Sequence, residues 1–228
     1  MTDSRRRAIL AAIPLAGTLC AIAGAVDIIA YLLFGKIFVA NMTGNTALFA
    51  ASVLTHDWRQ AALRFGVVVA FVAGISVTHL GMRKLVIRRE RRLRLITLAV
   101  EFVLLSTLTF APHPNVVRAG LLLLLAFALA MQTNAFRQIG PVKLNTSFMS
   151  GDLENLGEAI TDSEAPGART EARLRTAMFL STWIAYAIGA LMGAYGASHF
   201  AERALWIPAG LVVLAAAIVL QSPVRRRT

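Results

Sequence analysis

Between Asp27 and Ala50 an acidic residue inside an apolar run is followed by Phe38-Val39-Ala40-Asn41-Met42-Thr43-Gly44-Asn45-Thr46, polar where an uninterrupted hydrophobic helix would be expected. Polar groups at membrane depth are costly unless protein or a water-filled cavity surrounds them, so they read by default as a functional site. Asn41, Thr43 and Asn45 are N-cap and turn formers, Gly44 permits tight backbone, and Thr46 to Ala50 can start a short helix. A helix N-terminus exposed at that depth presents free N–H groups and the positive end of the helix dipole, which suits an anion or a carboxylate. The competing reading is a polar kink whose Thr and Asn side chains bond to neighbouring backbone.

A second polar stretch, Asn145-Thr146-Ser147-Phe148-Met149-Ser150-Gly151, leads into Asp152-Leu153-Glu154-Asn155-Leu156-Gly157-Glu158-Ala159-Ile160. Helical periodicity puts Leu153, Leu156, Gly157 and Ile160 on one face and Gly151, Asp152, Glu154, Asn155 and Glu158 on the other. Ser150 can cap this helix, and Asp152 in its first turn suits the dipole. Its three carboxylates can bind a cation, relay protons or lie in cytoplasmic water. Asp27 has no basic neighbour one turn away, so if buried it must pair across helices or take a proton. Gln132 and Asn134 are the matching polar positions in the second half of the chain. Glu101, inside another apolar run, is expected either to pair with Arg94 or to face the interior. His79 reads as a packed or interfacial histidine, and His56, His113 and His199 as solvated in outer loops.

Composition says what must position these groups. Of 228 residues, 57% are hydrophobic and 15% charged, with a mean hydropathy of +0.66. A soluble domain is about 45–50% apolar and about 25% charged, so this balance belongs to an all-α, polytopic membrane protein. The net charge of +11 invites nucleic-acid binding, but the Lys and Arg residues lie in short clusters between apolar runs, where membrane topology uses them, so no nucleic acid is expected. The single Cys20 cannot form an internal disulfide and reads as a small buried hydrophobe. No metal-ligand spacing, Gly-rich phosphate loop or nucleophile elbow stands out, so neither an enzyme nor a cofactor is expected. A membrane-embedded enzyme using Asp152, Glu154 and Glu158 as acid or base would lack a recognisable nucleophile.

Apolar runs long enough to cross a bilayer occur near 8–34, 62–82, 95–111, 118–136, 176–198 and 204–221, with weaker stretches at 37–54 and 142–160. Arg5-Arg6-Arg7 ahead of the first run resembles a signal peptide, but the run extends far beyond an h-region of about 7–15 residues and reads as a retained span. If both weaker stretches cross, the Lys and Arg residues divide 12 inside and 11 outside. If both enter and leave by the same face, the division is 18 inside and 5 outside, which obeys the positive-inside rule. The expectation is therefore six transmembrane helices plus two interrupted or re-entrant helices, in the bacterial inner membrane, with both termini cytoplasmic. Trp58 and Trp206 then fall at the outer interface and Trp183 near the inner one.

Shifting the sequence by 107 positions places Asp27 on Asn134, Met42 on Met149, Thr43 on Ser150, Gly44 on Gly151 and Asn45 on Asp152. After each polar stretch comes a span with small residues at every fourth position, Gly66, Ala70, Gly74 and Thr78 in one half and Ala185, Gly189, Gly193 and Ala197 in the other. Such stripes let helices approach closely. The chain reads as one transmembrane domain, 1–228, made of repeats at about 8–111 and 116–221. An odd number of spans per repeat inverts the second, the plan of many secondary transporters, whose sites are built from broken helices at the repeat interface.

Ala23-Gly24-Ala25-Val26-Asp27 with Phe38 to Asn45, and Ala126-Phe127-Ala128-Leu129-Ala130-Met131-Gln132 with Ser150-Gly151, Leu153 and Asn155-Leu156-Gly157-Glu158, resemble the YoaK family of bacterial inner-membrane proteins (domain of unknown function 1275). The resemblance runs from about residue 10 to 220, and departs where residues 145–151 stand in place of a Thr-Tyr-Val-Thr-Gly-like run. It implies a multi-span membrane protein and brings no activity, cofactor or substrate. The functional expectation is a small-solute or anion transporter or channel-like protein, with a substrate site at Asp27, Asn41, Thr43, Gly44, Asn45, Gln132, Asn134, Ser150, Gly151 and Asp152. The alternative is a non-transporting scaffold or sensor acting through helix packing or homodimerisation.

Overall fold

The computed structural model describes residues 3–84, 90–110, 115–139, 142–143, 146, 149–162 and 169–221. Asn145, Ser147 and Phe148 of the second polar stretch, His113, Arg88, Arg89 and the terminal Arg225 to Arg227 lie outside the described residues. The architecture is helical. α1 (Asp3–Leu33), α2 (Met42–Leu54), α3 (Trp58–Lys84) and α4 (Glu90–Phe110) form the first half, and α5 (Asn115–Ala135), α6 (Met149–Asp162), α7 (Arg169–Phe200) and α8 (Trp206–Gln221) the second. A two-residue hairpin, β1 (Gln138–Ile139) with β2 (Val142–Lys143), follows α5, pairing Gln138 with Lys143 and Ile139 with Val142.

Five helical stretches are long and apolar enough to cross a bilayer: 3–33, 58–82, 90–110, 116–135 and 170–221. The last, of 52 residues, would make a straight helix of about 78 Å, more than twice a hydrocarbon core of about 30 Å. It bends instead through a short 3-10 helix, Ala201–Leu205, where Ala201 takes a φ of 49°. α7 and α8 then both pack on α1. The apolar run expected at 204–221 falls on the far arm of this bend, the 16-residue α8. Leu54, Phe110, Val116 and Leu191 are exposed, as side chains facing lipid would be.

α1 is the central element, buried along most of its length between α7 and α8. Its contact with α7 depends on missing side chains. A Cβ on Gly24 would lie 2.2 Å from the Tyr186 carbonyl oxygen, and one on Gly189 would lie 2.1 Å from that of Ala21. α3 meets α5 in the same manner, with Gly74 against the Phe127 carbonyl at 2.3 Å. Both small-residue stripes therefore act within the chain, and a homodimer would need another face. α2 packs on α3, α6 on α7, and α4 on both α5 and α8.

α1 stops at Leu33 because Gly35 and Lys36 adopt φ of 92° and 57°, with the Lys36 N–H returning to the Tyr31 carbonyl. That left-handed reversal suits glycine and closes the helix end. Phe34 to Asn41 are then unwound until α2 starts. α2 has 13 residues, about 20 Å, too few to cross. It closes at His56, φ 57°, and Asp57 accepts the Gln60 N–H at 3.1 Å to begin α3.

Candidate functional site

An unwound segment inside a membrane protein leaves backbone groups that no helix satisfies, and each is costly without a partner. In the first half, polar side chains take that role. Asp27, fully buried on α1, accepts the Val39 N–H at 2.7 Å and the Ala40 N–H at 2.6 Å on Oδ1, and the Tyr186 hydroxyl at 3.2 Å on Oδ2. Asn45 grips one residue on both sides: its Oδ1 accepts the Phe38 N–H at 2.9 Å and its Nδ2 donates to the Phe38 carbonyl at 2.7 Å. Asn41 caps α2, accepting the Gly44 N–H at 2.9 Å on Oδ1. The Met42 and Asn45 N–H groups donate to the Ala40 and Asn41 carbonyls.

The expectation that the start of α2 offers free N–H groups is thus corrected for Met42, Gly44 and Asn45, because the chain's own oxygens occupy them. Asn41 and Asn45 follow the competing reading, bonding to nearby backbone. Gly44 sits against Phe38, where a Cβ would come within 2.8 Å of the ring. Thr43 points outward and is exposed. The far end of α2 is held by Arg64 of α3, whose guanidinium donates to the Leu48 carbonyl at 2.9 Å and to the Ser52 hydroxyl.

In the second half, α6 starts at Met149, so Ser150 lies inside the helix rather than at its cap, and it is exposed. Gly151 is half-buried, its carbonyl accepting the Asn155 side-chain amide at 2.7 Å. Asp152 is 1% exposed, whereas Leu153 and Ile160 are 43% and 52% exposed. The helix therefore turns Asp152 inward and part of its apolar face outward. Glu154 and Glu158 are exposed. Cys20, seven residues before Asp27 on α1, is wholly buried.

Gln132 and Asn134 belong to neither cluster. Gln132, buried on α5, lies against Glu101 of α4, and the Asn134 side-chain amide faces the Ile75 carbonyl of α3 at 3.4 Å. Arg94 does not pair with Glu101. It binds Glu90 at 2.7 Å and the Ala135 and Gln138 carbonyls at 3.1 and 3.0 Å, closing the end of α5. Asp27, Asn41, Gly44 and Asn45 thus come together, Gly151 and Asp152 form a second group, and Thr43 and Ser150 face out. The sequence reading missed Tyr186 and Arg64. Arg64 was legible as a charge two residues inside an apolar run. Tyr186 had a weaker signal, a phenol beside a stripe of small residues.

The arrangement is that of a multi-pass membrane protein with acidic groups buried among its spans. The chain belongs to the family described as Protein of unknown function (DUF1275), whose model matches residues 15–218. It is 26% identical over 202 residues, 85% of this chain and 88% of the relative, to the UPF0700 transmembrane protein YoaK of Bacillus subtilis (strain 168). No solved structure matches.

Proposed function

We propose that the chain moves a small solute or anion across the bacterial inner membrane, as a transporter or channel-like protein, through a central site between two broken helices, α2 and α6. On this reading six spans carry two re-entrant helices in two inverted repeats, with both termini in the cytoplasm. The observation that carries it is a pair of buried acids, one beside the start of each short helix: Asp27 against the unwound run into α2, and Asp152 in the first turn of α6. Tyr186 of α7 meets the first of them, its hydroxyl donating to Asp27 at 3.2 Å.

The packing supports the repeat. Exchanging the halves turns α1 on α7 into α5 on α3, α2 on α3 into α6 on α7, and α1 on α8 into α5 on α4, and all of these contacts exist. Arginine contacts favour the same scheme, since Arg64 of α3 reaches back to the Leu48 carbonyl of α2 and Arg175 of α7 pairs with Asp162 of α6 at 3.7 Å. The amides of Val39 and Ala40 already hold the Asp27 carboxylate, so an anionic solute and an ionised Asp27 would compete for them. A proton on Asp27 would weaken its hold on the amides, because a neutral carboxyl accepts less strongly than a carboxylate, and this links solute binding to protons.

Uptake into liposomes holding the purified chain tests the reading across inorganic ions, carboxylic acids and amino acids. Flux that loses its pH dependence in Asp27→Asn is expected, and no flux for any of these solutes sinks it. A non-enzymatic scaffold or sensor is the second reading, favoured by Asn41 and Asn45 being spent on the backbone around them. Under that reading Asn45→Ala loosens the fold, and no variant alters a flux.

A further inference from the structure

Glu101 and Gln132 form a buried pair apart from both short helices. Glu101 on α4 is wholly buried and Gln132 on α5 is 1% exposed. The tip of the Gln132 amide lies 2.6 Å from Glu101 Oε2 and 3.2 Å from Oε1. Few charges face the pair. On α4, Arg94 lies two turns away and is held by Glu90 and by the carbonyls after α5. The one charge on α5 is Arg118, near its other end and paired with Glu202 at 2.8 Å. α8 carries no charged residue, and the 3-10 helix adds only Glu202 and Arg203. Among the described residues no ion pair reaches Glu101.

A carboxylate facing one neutral amide in apolar surroundings is far costlier than the neutral acid. The amide suits both forms. With its oxygen toward Glu101 the amide nitrogen would face only donors, whereas with its nitrogen there both ends are satisfied, so Nε2 donates to Oε2 of Glu101, an oxygen that accepts in either protonation state.

We propose that Glu101 is a proton-binding site that holds its proton in this packing while its carbonyl oxygen accepts the Gln132 side-chain N–H. When the α4–α5 interface opens to water, the Glu101 O–H bond breaks, the proton passes to a water molecule and the charge stays on the carboxylate. The Gln132 amide then donates to that carboxylate. This goes beyond the transport reading and stands whether or not α2 and α6 enclose a solute.

Infrared spectra of the full chain, purified in a detergent without ester carbonyls, read the proton directly through the carboxylic-acid C=O band. At neutral pH that band is expected in the wild-type chain, reduced by one carboxyl's intensity in Glu101→Gln, and moved to higher frequency in Gln132→Leu, which keeps the acid and removes its partner. An unchanged intensity in Glu101→Gln overturns the site. If that variant fails to fold, an unshifted band in Gln132→Leu overturns it.

Discussion

Asp27 and Glu101 are both wholly buried carboxyl groups within spans, and their surroundings differ in kind. Asp27 is met by two backbone N–H groups and a phenol, an arrangement of donors that a carboxylate oxygen answers. Glu101 meets one amide N–H. Burial alone therefore does not assign a role to an acid in a membrane. The number of fixed donors around it does, because several N–H groups together favour a carboxylate, while a single amide N–H is answered as well by the carbonyl oxygen of a neutral acid.

The comparison breaks most visibly at Asp27. Asp27→Ala leaves the Val39 and Ala40 N–H groups without an acceptor, at about 1–3 kcal/mol for each buried group, so a loss of about 2–6 kcal/mol is expected in a denaturant titration of the detergent-solubilised chain. A loss below 1 kcal/mol would show that the unwound run is held by something else.

Asn45→Ala is expected to cost about 1–3 kcal/mol by leaving the N–H and the carbonyl of half-buried Phe38 without these partners. The same titration checks it, and its effect should overlap that of Asp27→Ala in the double variant, since both hold one segment.

Glu101→Gln is the contrasting case. With a neutral acid in place, exchanging O–H for NH₂ keeps one hydrogen bond to Gln132, and a change within about 1 kcal/mol is expected. A loss as large as that of Asp27→Ala would erase the distinction between the two acids. Thr43→Ala and Ser150→Ala should be smallest, within about 0.5 kcal/mol, because both side chains are exposed. Melting curves that move no further than this, measured beside flux, would separate solute contact from folding.

Much of the fold was legible from hydropathy and charge. A run of about 20 apolar residues needs no partner to be recognised, and the spans at 62–82, 95–111 and 118–136 fall inside α3, α4 and α5 to within a residue or so. The small stripes were equally legible, because only a residue without a side chain lets two backbones touch, as Gly24, Gly74 and Gly189 do. The interruption after Phe38 was visible as polarity, but its bonding was not. Asn41 and Asn45 looked like donors and acceptors for a ligand, and they bind the backbone within seven residues of themselves.

By itself, the sequence determined that this chain is a multi-pass membrane protein, since twenty apolar residues in a row satisfy lipid wherever the rest of the chain goes. It also marked the interruption that precedes α2. Only the tertiary structure decided which acid meets which donor. The Tyr186 hydroxyl reaches Asp27 across 159 positions of sequence, and α6 turns Asp152 rather than Leu153 inward. Such choices depend on how helices rotate against one another, and a helix that faces lipid on one side and protein on the other has no soluble-protein periodicity to announce that rotation.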